Sequence, residues 1–178
     1  MKLRTIIQAA VLLSALLVSQ VFAETNSEQG YVLDSGDRIA IQVFDENELT
    51  MEALIDQNGI INYSFLGPLE VSGKTTEQLE TTITDLLRGD YLVNPSVNVT
   101  ITSYRPFYIG GEVARPGAYP YVPGLTLEQA VAIAGGMTDR GSRRKMYLVD
   151  PETSDKKRLS FSSSIGPGDT ISIQEGFF

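Results

Sequence analysis

Gly36-Asp37-Arg38-Ile39-Ala40-Ile41-Gln42 and, near the other end of the chain, Gly168-Asp169-Thr170-Ile171-Ser172-Ile173-Gln174 share one pattern, G-D-x-I-x-I-Q. In each copy the glycine supplies the freedom of a turn and the aspartate bonds the local backbone. The isoleucines alternate, which marks a half-buried strand. A shared turn-into-strand solution accounts for the echo; duplication of a unit is the alternative.

Outward from the first copy, Asn58-Gly59 lies between Leu54-Ile55-Asp56 and Ile60-Ile61-Asn62-Tyr63 and predicts a hairpin. Thr75 followed by Gln78 reads as a capping box. Leu79, Ile83, Leu86 and Leu87 recur at helical spacing, so an amphipathic helix is expected over 75–88, stopped by Gly89. Pro95 opens another alternating strand with Val97, Val99 and Ile101 on one face. The pattern restarts at Tyr104. Residues 107–113 predict a strand, Arg115-Pro116-Gly117 a turn, and 118–122 a returning strand. Thr126 with Gln129 caps a second helix whose apolar face is Leu127, Ala130, Val131 and Ala134. A strand at 146–149 and a turn at 150–154 lead to the second copy of the motif. The expected fold class is α+β, with a unit at 31–103 and another at 104–178, each with one main helix on a sheet.

Composition narrows the chemistry. The chain has 178 residues, 14 Lys plus Arg, 22 Asp plus Glu, and a net charge of −8. Such an acidic surface is a poor match for nucleic acid. There is no Cys, which removes disulfides, thiolate nucleophiles and a lipid-carrying N-terminal cysteine. There is no His, the commonest general base and transition-metal ligand.

Lys2 and Arg4 precede a mostly apolar run over 6–18, and Val21-Phe22-Ala23 places small residues before Glu24. This is the three-part pattern of a secretory signal peptide over 1–23. The run is shorter than the ~20 apolar residues of a spanning helix, the competing reading. Cleavage after Ala23 leaves 178 − 23 = 155 residues with charge 12 − 22 = −10. Residues 24–30 then form a flexible leader, and the exported chain carries no lipid.

No constellation predicts catalysis, a cofactor or a metal. Asp45-Glu46-Asn47-Glu48 lacks the EF-hand spacing, and Asp150, Glu152 and Asp155 fall in a turn-rich loop. Ser142 and Lys145 lack the surroundings of a Ser–Lys dyad. Gly110-Gly111 and Gly135-Gly136 match no phosphate-binding loop. Arg140, Arg143, Arg144 and Lys145 form the one basic cluster, either a solvated loop or a contact for an acidic partner, lipid headgroups or an anionic glycan. Tyr104, Tyr108, Tyr119 and Tyr121 flank the expected hairpin, with Arg105 beside the first. They either pack on the sheet or stack on sugars and interfaces. Gly36, Asp37, Gly168 and Asp169 read as structural turns. The terminal Phe177-Phe178 raises a β-barrel, against which the two capped helices argue.

The order of these motifs resembles the outer-membrane polysaccharide export family. The resemblance rests on Tyr31-Val32-Leu33-Asp34-Ser35-Gly36-Asp37-Arg38-Ile39-Ala40-Ile41, Asp56-Gln57-Asn58-Gly59-Ile60-Ile61, Gly67-Pro68-Leu69-Glu70-Val71-Ser72-Gly73-Lys74-Thr75 and Asn94-Pro95-Ser96-Val97-Asn98-Val99. Residues 107–136, with Gly110-Gly111-Glu112-Val113, Pro116-Gly117-Ala118-Tyr119 and Leu127-Glu128-Gln129-Ala130, resemble a soluble-ligand-binding (SLBB) β-grasp module, and Gly168-Asp169-Thr170-Ile171 matches its end. The resemblance implies a polysaccharide export domain at 31–103 and a β-grasp domain at 104–178. It further implies a ring-forming homo-oligomer that passes capsular polysaccharide or exopolysaccharide, working with an inner-membrane polysaccharide copolymerase. Two departures from the family pattern are the missing lipidated Cys and the end of the chain at Phe178. They lead to the expectation of a periplasmic adaptor, peripheral to the outer membrane, that depends on a separate outer-membrane β-barrel. Because an acidic ring repels an anionic glycan, the lumen is expected to be locally neutral, or the polymer neutral or cationic. The rival expectation is a monomeric periplasmic module that holds a soluble sugar or other ligand.

Overall fold

The computed structural model describes residues 30–176, and the expected signal peptide, most of the leader and Phe177-Phe178 lie outside them. The described residues build two hydrophobic cores, one before and one after the link at 104–106. Both capping boxes form. Thr75 and Gln78 start α1 (Thr76–Leu87), and Thr126 and Gln129 start α2 (Leu127–Ile133).

In the first unit, β1 (Arg38–Val43) lies between β2 (Met51–Leu54) and β5 (Val97–Ser103), antiparallel to both. A short 3₁₀ turn (Asn47–Leu49) connects β1 to β2. Ile39, Ile41 and Val43 point inward on alternate residues and meet Leu79, Ile83 and Leu87 of α1, spaced four apart on one helical face. β3 (Ile60–Tyr63) and β4 (Gly67–Glu70) form a separate antiparallel pair over the same core. The hairpin expected at Asn58-Gly59 is therefore corrected. A turn does form there, with Asp56 Oδ1 accepting from Asn58 N and Ile60 N. However, β2 remains with β1, and β3 turns away to pair with β4.

The second unit is a five-stranded mixed sheet in the order β7-β6-β10-β8-β9. Its strands are β6 (Phe107–Gly111), β7 (Gly117–Tyr119), β8 (Gly141–Val149), β9 (Lys156–Arg158) and β10 (Thr170–Glu175). Counted within the unit the order is 2-1-5-3-4, with first and last strands parallel and the helix between second and third, a β-grasp sheet. Phe107, Ile109, Met146, Ile171 and Ile173 face α2. The small Ala130 and Ala134 are fully buried, which lets this helix sit close to the sheet. Together the two units make the chain mixed α+β.

Two sequence readings change here. Residues 141–145 extend β8, so the basic cluster lies mostly on a strand rather than in a loop. It is also not the only one, because Lys156-Lys157-Arg158 forms exposed β9 beside the far end of β8.

Candidate functional site

Asp37 is the buried charged residue among the described residues, with no exposed surface. The chain places it at the first G-D turn and surrounds it with donors. Its Oδ2 accepts from Tyr31 Oη at 2.6 Å, Asp34 N at 3.0 Å and Arg105 Nη1 at 3.0 Å. Its Oδ1 accepts from Arg105 N at 2.8 Å. Four donors saturate a carboxylate, which is how a buried charge is tolerated. Arg105 Nη1 also donates to Tyr31 Oη at 2.7 Å, and its Nη2 lies 3.7 Å from Asp34 Oδ2.

Arg105 threads between the two G-D turns. A Cβ on Gly36 would lie 3.2 Å from Arg105 Cβ, and one on Gly168 2.8 Å from Arg105 Nε. Both glycines hold positive φ, 90° and 85°. The turns are built alike: Asp37 accepts from the N–H of Asp34, and Asp169 from that of Gly166, each three residues back. Tyr104 meets Tyr31 edge-on at 4.9 Å and Tyr121 at 5.4 Å, linking the first unit to the second through aromatic contacts. Burial, then the hydrogen bond and charge of Asp37, raises the Tyr31 phenol above its ordinary range. At Asp34, burial pushes the carboxyl upward, but the Ser35 N–H, the Ser72 hydroxyl and Arg105 outweigh it and lower it. The site is a latch between the two cores.

The remaining candidate residues divide among different settings. Tyr119 turns to the core side, stacks on Phe107 at 5.9 Å and donates to Arg115 O at 2.7 Å. Arg140 Nε bonds Glu175 Oε1 at 2.9 Å, and its Nη2 lies 3.7 Å from Glu112. Arg143 lies over the Phe161 ring at 5.6 Å, and Arg144 is exposed. Ser142 Oγ accepts from Arg144 N, and Lys145 Nζ donates to Glu175 O. No group of three or more metal-ligating side chains occurs among the described residues.

Tyr108 has the most open setting of the tyrosines singled out, 47% exposed on the sheet face opposite α2. It borders a hollow of about 650 Å³ floored by Gly110 and Ala118, with Thr170, Ser172 and Lys156 along its length. Lys156, like Tyr31 and Glu80, carried no functional reading in the sequence. The run Lys156-Lys157-Arg158 was a visible signal, whereas the bond from Arg105 to Tyr31 spans 74 positions.

Residues 25–102 match the family model described as polysaccharide biosynthesis/export protein, and residues 106–159 match the SLBB domain. The exopolysaccharide production protein ExoF of Rhizobium meliloti (strain 1021) is 30% identical over 148 residues, covering 75% of this chain and 35% of ExoF. The polysialic acid transport protein KpsD of Escherichia coli is 27% identical over 143 residues, covering 74% of this chain and 26% of KpsD. The chain spans about a third or less of the length of these curated relatives. No helix among the described residues is long and apolar enough to cross a membrane.

Proposed function

The chain belongs to the polysaccharide biosynthesis/export proteins and carries an SLBB domain, and from that membership we propose that it is a non-catalytic, periplasmic part of a polysaccharide export machine. In this reading copies of the chain assemble into a ring or adaptor. That assembly receives capsular polysaccharide or exopolysaccharide from an inner-membrane copolymerase and passes it toward an outer-membrane β-barrel. The observation that carries the reading is the ordered pair of domain matches, which divide at 102–106, where the two cores divide. The latch at Asp37 and Arg105 supports it, because a repeating wall needs subunits of fixed internal shape. The names of the relatives, exopolysaccharide production and polysialic acid transport, point to the same class of cargo.

The test is polymer measured separately at the surface, in the periplasm and in the medium of a strain lacking the chain. The expected outcome is loss of surface polymer with periplasmic build-up, restored by the intact gene. Unchanged surface and medium polymer would overturn the reading. The alternative, a monomeric periplasmic β-grasp module holding a soluble ligand, draws on the hollow beside Tyr108. Sedimentation over a range of concentrations separates the two, since only the assembly gains mass.

A further inference from the structure

Three connections of the first unit meet at one end of it, and each carries a large apolar side chain outward. The β1–β2 turn carries Phe44, the β3–β4 turn carries Phe65, and the link from α1 to β5 carries Tyr91 and Val93, all about half exposed or more. Phe65 and Tyr91 line one hollow of about 150 Å³ with Leu49, Leu92, Glu46 and Glu48. Phe44 adjoins it, since its N–H donates to Ser96 O and ties its turn to the same link. Single exposed apolar side chains are ordinary, but a group gathered from three separate connections marks a surface that meets something.

The backbone is strained where it presents Phe65. That residue has φ 67°, in the left-handed region that a bulky side chain avoids. Leu66 N donates to Ser64 O at 2.9 Å across it, closing a γ-turn of the rare, strained hand. Tyr91 Oη reaches Phe65 O at 3.4 Å and ties the two aromatic residues together. Asp45 on the neighbouring turn is left-handed too, with φ 63°, and Thr50 Oγ1 holds the base of that turn by accepting from Val43 N. Folding alone would favour glycine at position 65, so the phenylalanine answers to a demand outside the fold. The charge around the hollow has one sign. Asp45, Glu46, Glu48 and Asp90 lie on these connections and make no ion pair among the described residues, while the neighbouring cation Arg88 is bridged to Asp85.

We propose that this end of the first unit is a docking surface for a different protein, which it meets through a segment whose apolar side chain is flanked by lysine or arginine. The hollow between Phe65 and Tyr91 has room for one aliphatic or aromatic side chain. The flanking cations meet Glu46 and Glu48, whose carboxylates are unpaired within the described residues. An apolar anchor inside a charged rim is the ordinary anatomy of a protein interface, with the aromatic residues carrying most of the affinity. The same acidic rim repels an anionic glycan or an anionic membrane surface, which bare rings would otherwise attract. The proposal goes beyond the export reading and does not depend on it, because it identifies a partner by its chemistry whatever the chain transports.

The test is titration of the purified, isotope-labelled full-length chain with a synthetic peptide, a central leucine flanked on each side by lysines in a glycine–serine frame, followed by amide NMR shifts. One control peptide replaces the leucine by serine and another the lysines by glutamates; malto-oligosaccharide and phosphatidylglycerol vesicles stand for sugar and lipid. The leucine–lysine peptide is expected to shift the amides of residues 44–49, 64–66 and 89–93, to bind about tenfold or more tightly than either control peptide, and to weaken as salt rises. Glu46→Gln with Glu48→Gln should lower its affinity about tenfold at low salt and flatten the salt dependence. Phe65→Gly should lower it about tenfold while the melting temperature stays at or above that of the parent, whereas a ring kept for packing would lower the melting temperature. The glutamine pair leaves the strained turn untouched, so it carries the test by itself if the glycine variant fails to fold. No binding, shifts at other residues, equal affinity for the control peptides, stronger binding of the sugar or the vesicles, or variants that bind as the parent does would each overturn the proposal. It also falls if these amides shift with the concentration of the chain alone and Phe65→Gly abolishes that change, since the surface then joins copies of this chain.

Discussion

Arg105 shows how much one side chain can fix. Its backbone N–H and guanidinium both serve Asp37, while its stem fills space that only glycine leaves free at positions 36 and 168. A buried ion pair adds little net stability against an apolar substitute, but removing one partner strands the other. Arg105→Met is therefore expected to destabilise the chain by about 3 kcal/mol, read as a lower urea midpoint. Arg105→Lys should rescue it only in part, because one ammonium cannot reach Tyr31, Asp34 and Asp37 as the planar fork does. The Tyr31 phenol gives a second prediction. Its folded pKa is raised, so its contribution to stability is present below its unfolded pKa of about 10 and is lost as pH rises beyond it. Melting temperatures from pH 8 to 11 should fall more steeply for the parent than for Tyr31→Phe, and parallel curves would refute the assignment.

Edge protection in the first sheet comes from a helix. β5 pairs only with β1, so its other edge carries unpaired backbone groups. Glu80 of α1 reaches that edge and its carboxylate accepts from Val99 N at 2.8 Å. Glu80→Ala should cost about 1 kcal/mol and release the Val99 amide to hydrogen exchange, while amides of β1 at the centre of the sheet stay protected. Equal Val99 protection in both proteins would show that the contact does not hold the edge. This contact, unlike the helix bearing it, was not legible in the sequence. Both helices were readable because a capping box and an apolar stripe are local signals, and β1 and β10 because alternation follows a G-D turn. Asn58-Gly59 misled because a turn signal specifies a bend without specifying which strand pairs next. The same limit applied at the site. The sequence marked Arg105 and Asp37 separately, but their pairing is a contact across 68 positions that no local pattern encodes.

Charge is divided unevenly over the molecule. Residues 30–103 hold 3 cations and 12 acids, a net −9, while residues 104–176 hold 9 cations and 8 acids, a net +1. Two copies meeting through the same patch would set like charge against like, whereas head-to-tail contact brings the acidic unit of one to the less acidic unit of the next. Head-to-tail contacts are also the ones that generate rings when the rotation closes. Association is therefore expected to weaken between 50 mM and 500 mM salt, since screening shortens the reach of exposed charges to a few ångströms. Arg143→Glu with Arg144→Glu moves the second unit from +1 to −3 and should weaken association about tenfold at low salt. Both side chains are exposed, so folding should survive, and the melting temperature checks that it does. Sedimentation velocity reads the mass. Association that is indifferent to the charge reversal, or that strengthens with salt, would instead place the contact on the exposed apolar residues of the first unit. Phe44, Phe65 and Val93 are 56%, 61% and 94% exposed there, and burying them between copies would be driven by water release rather than charge.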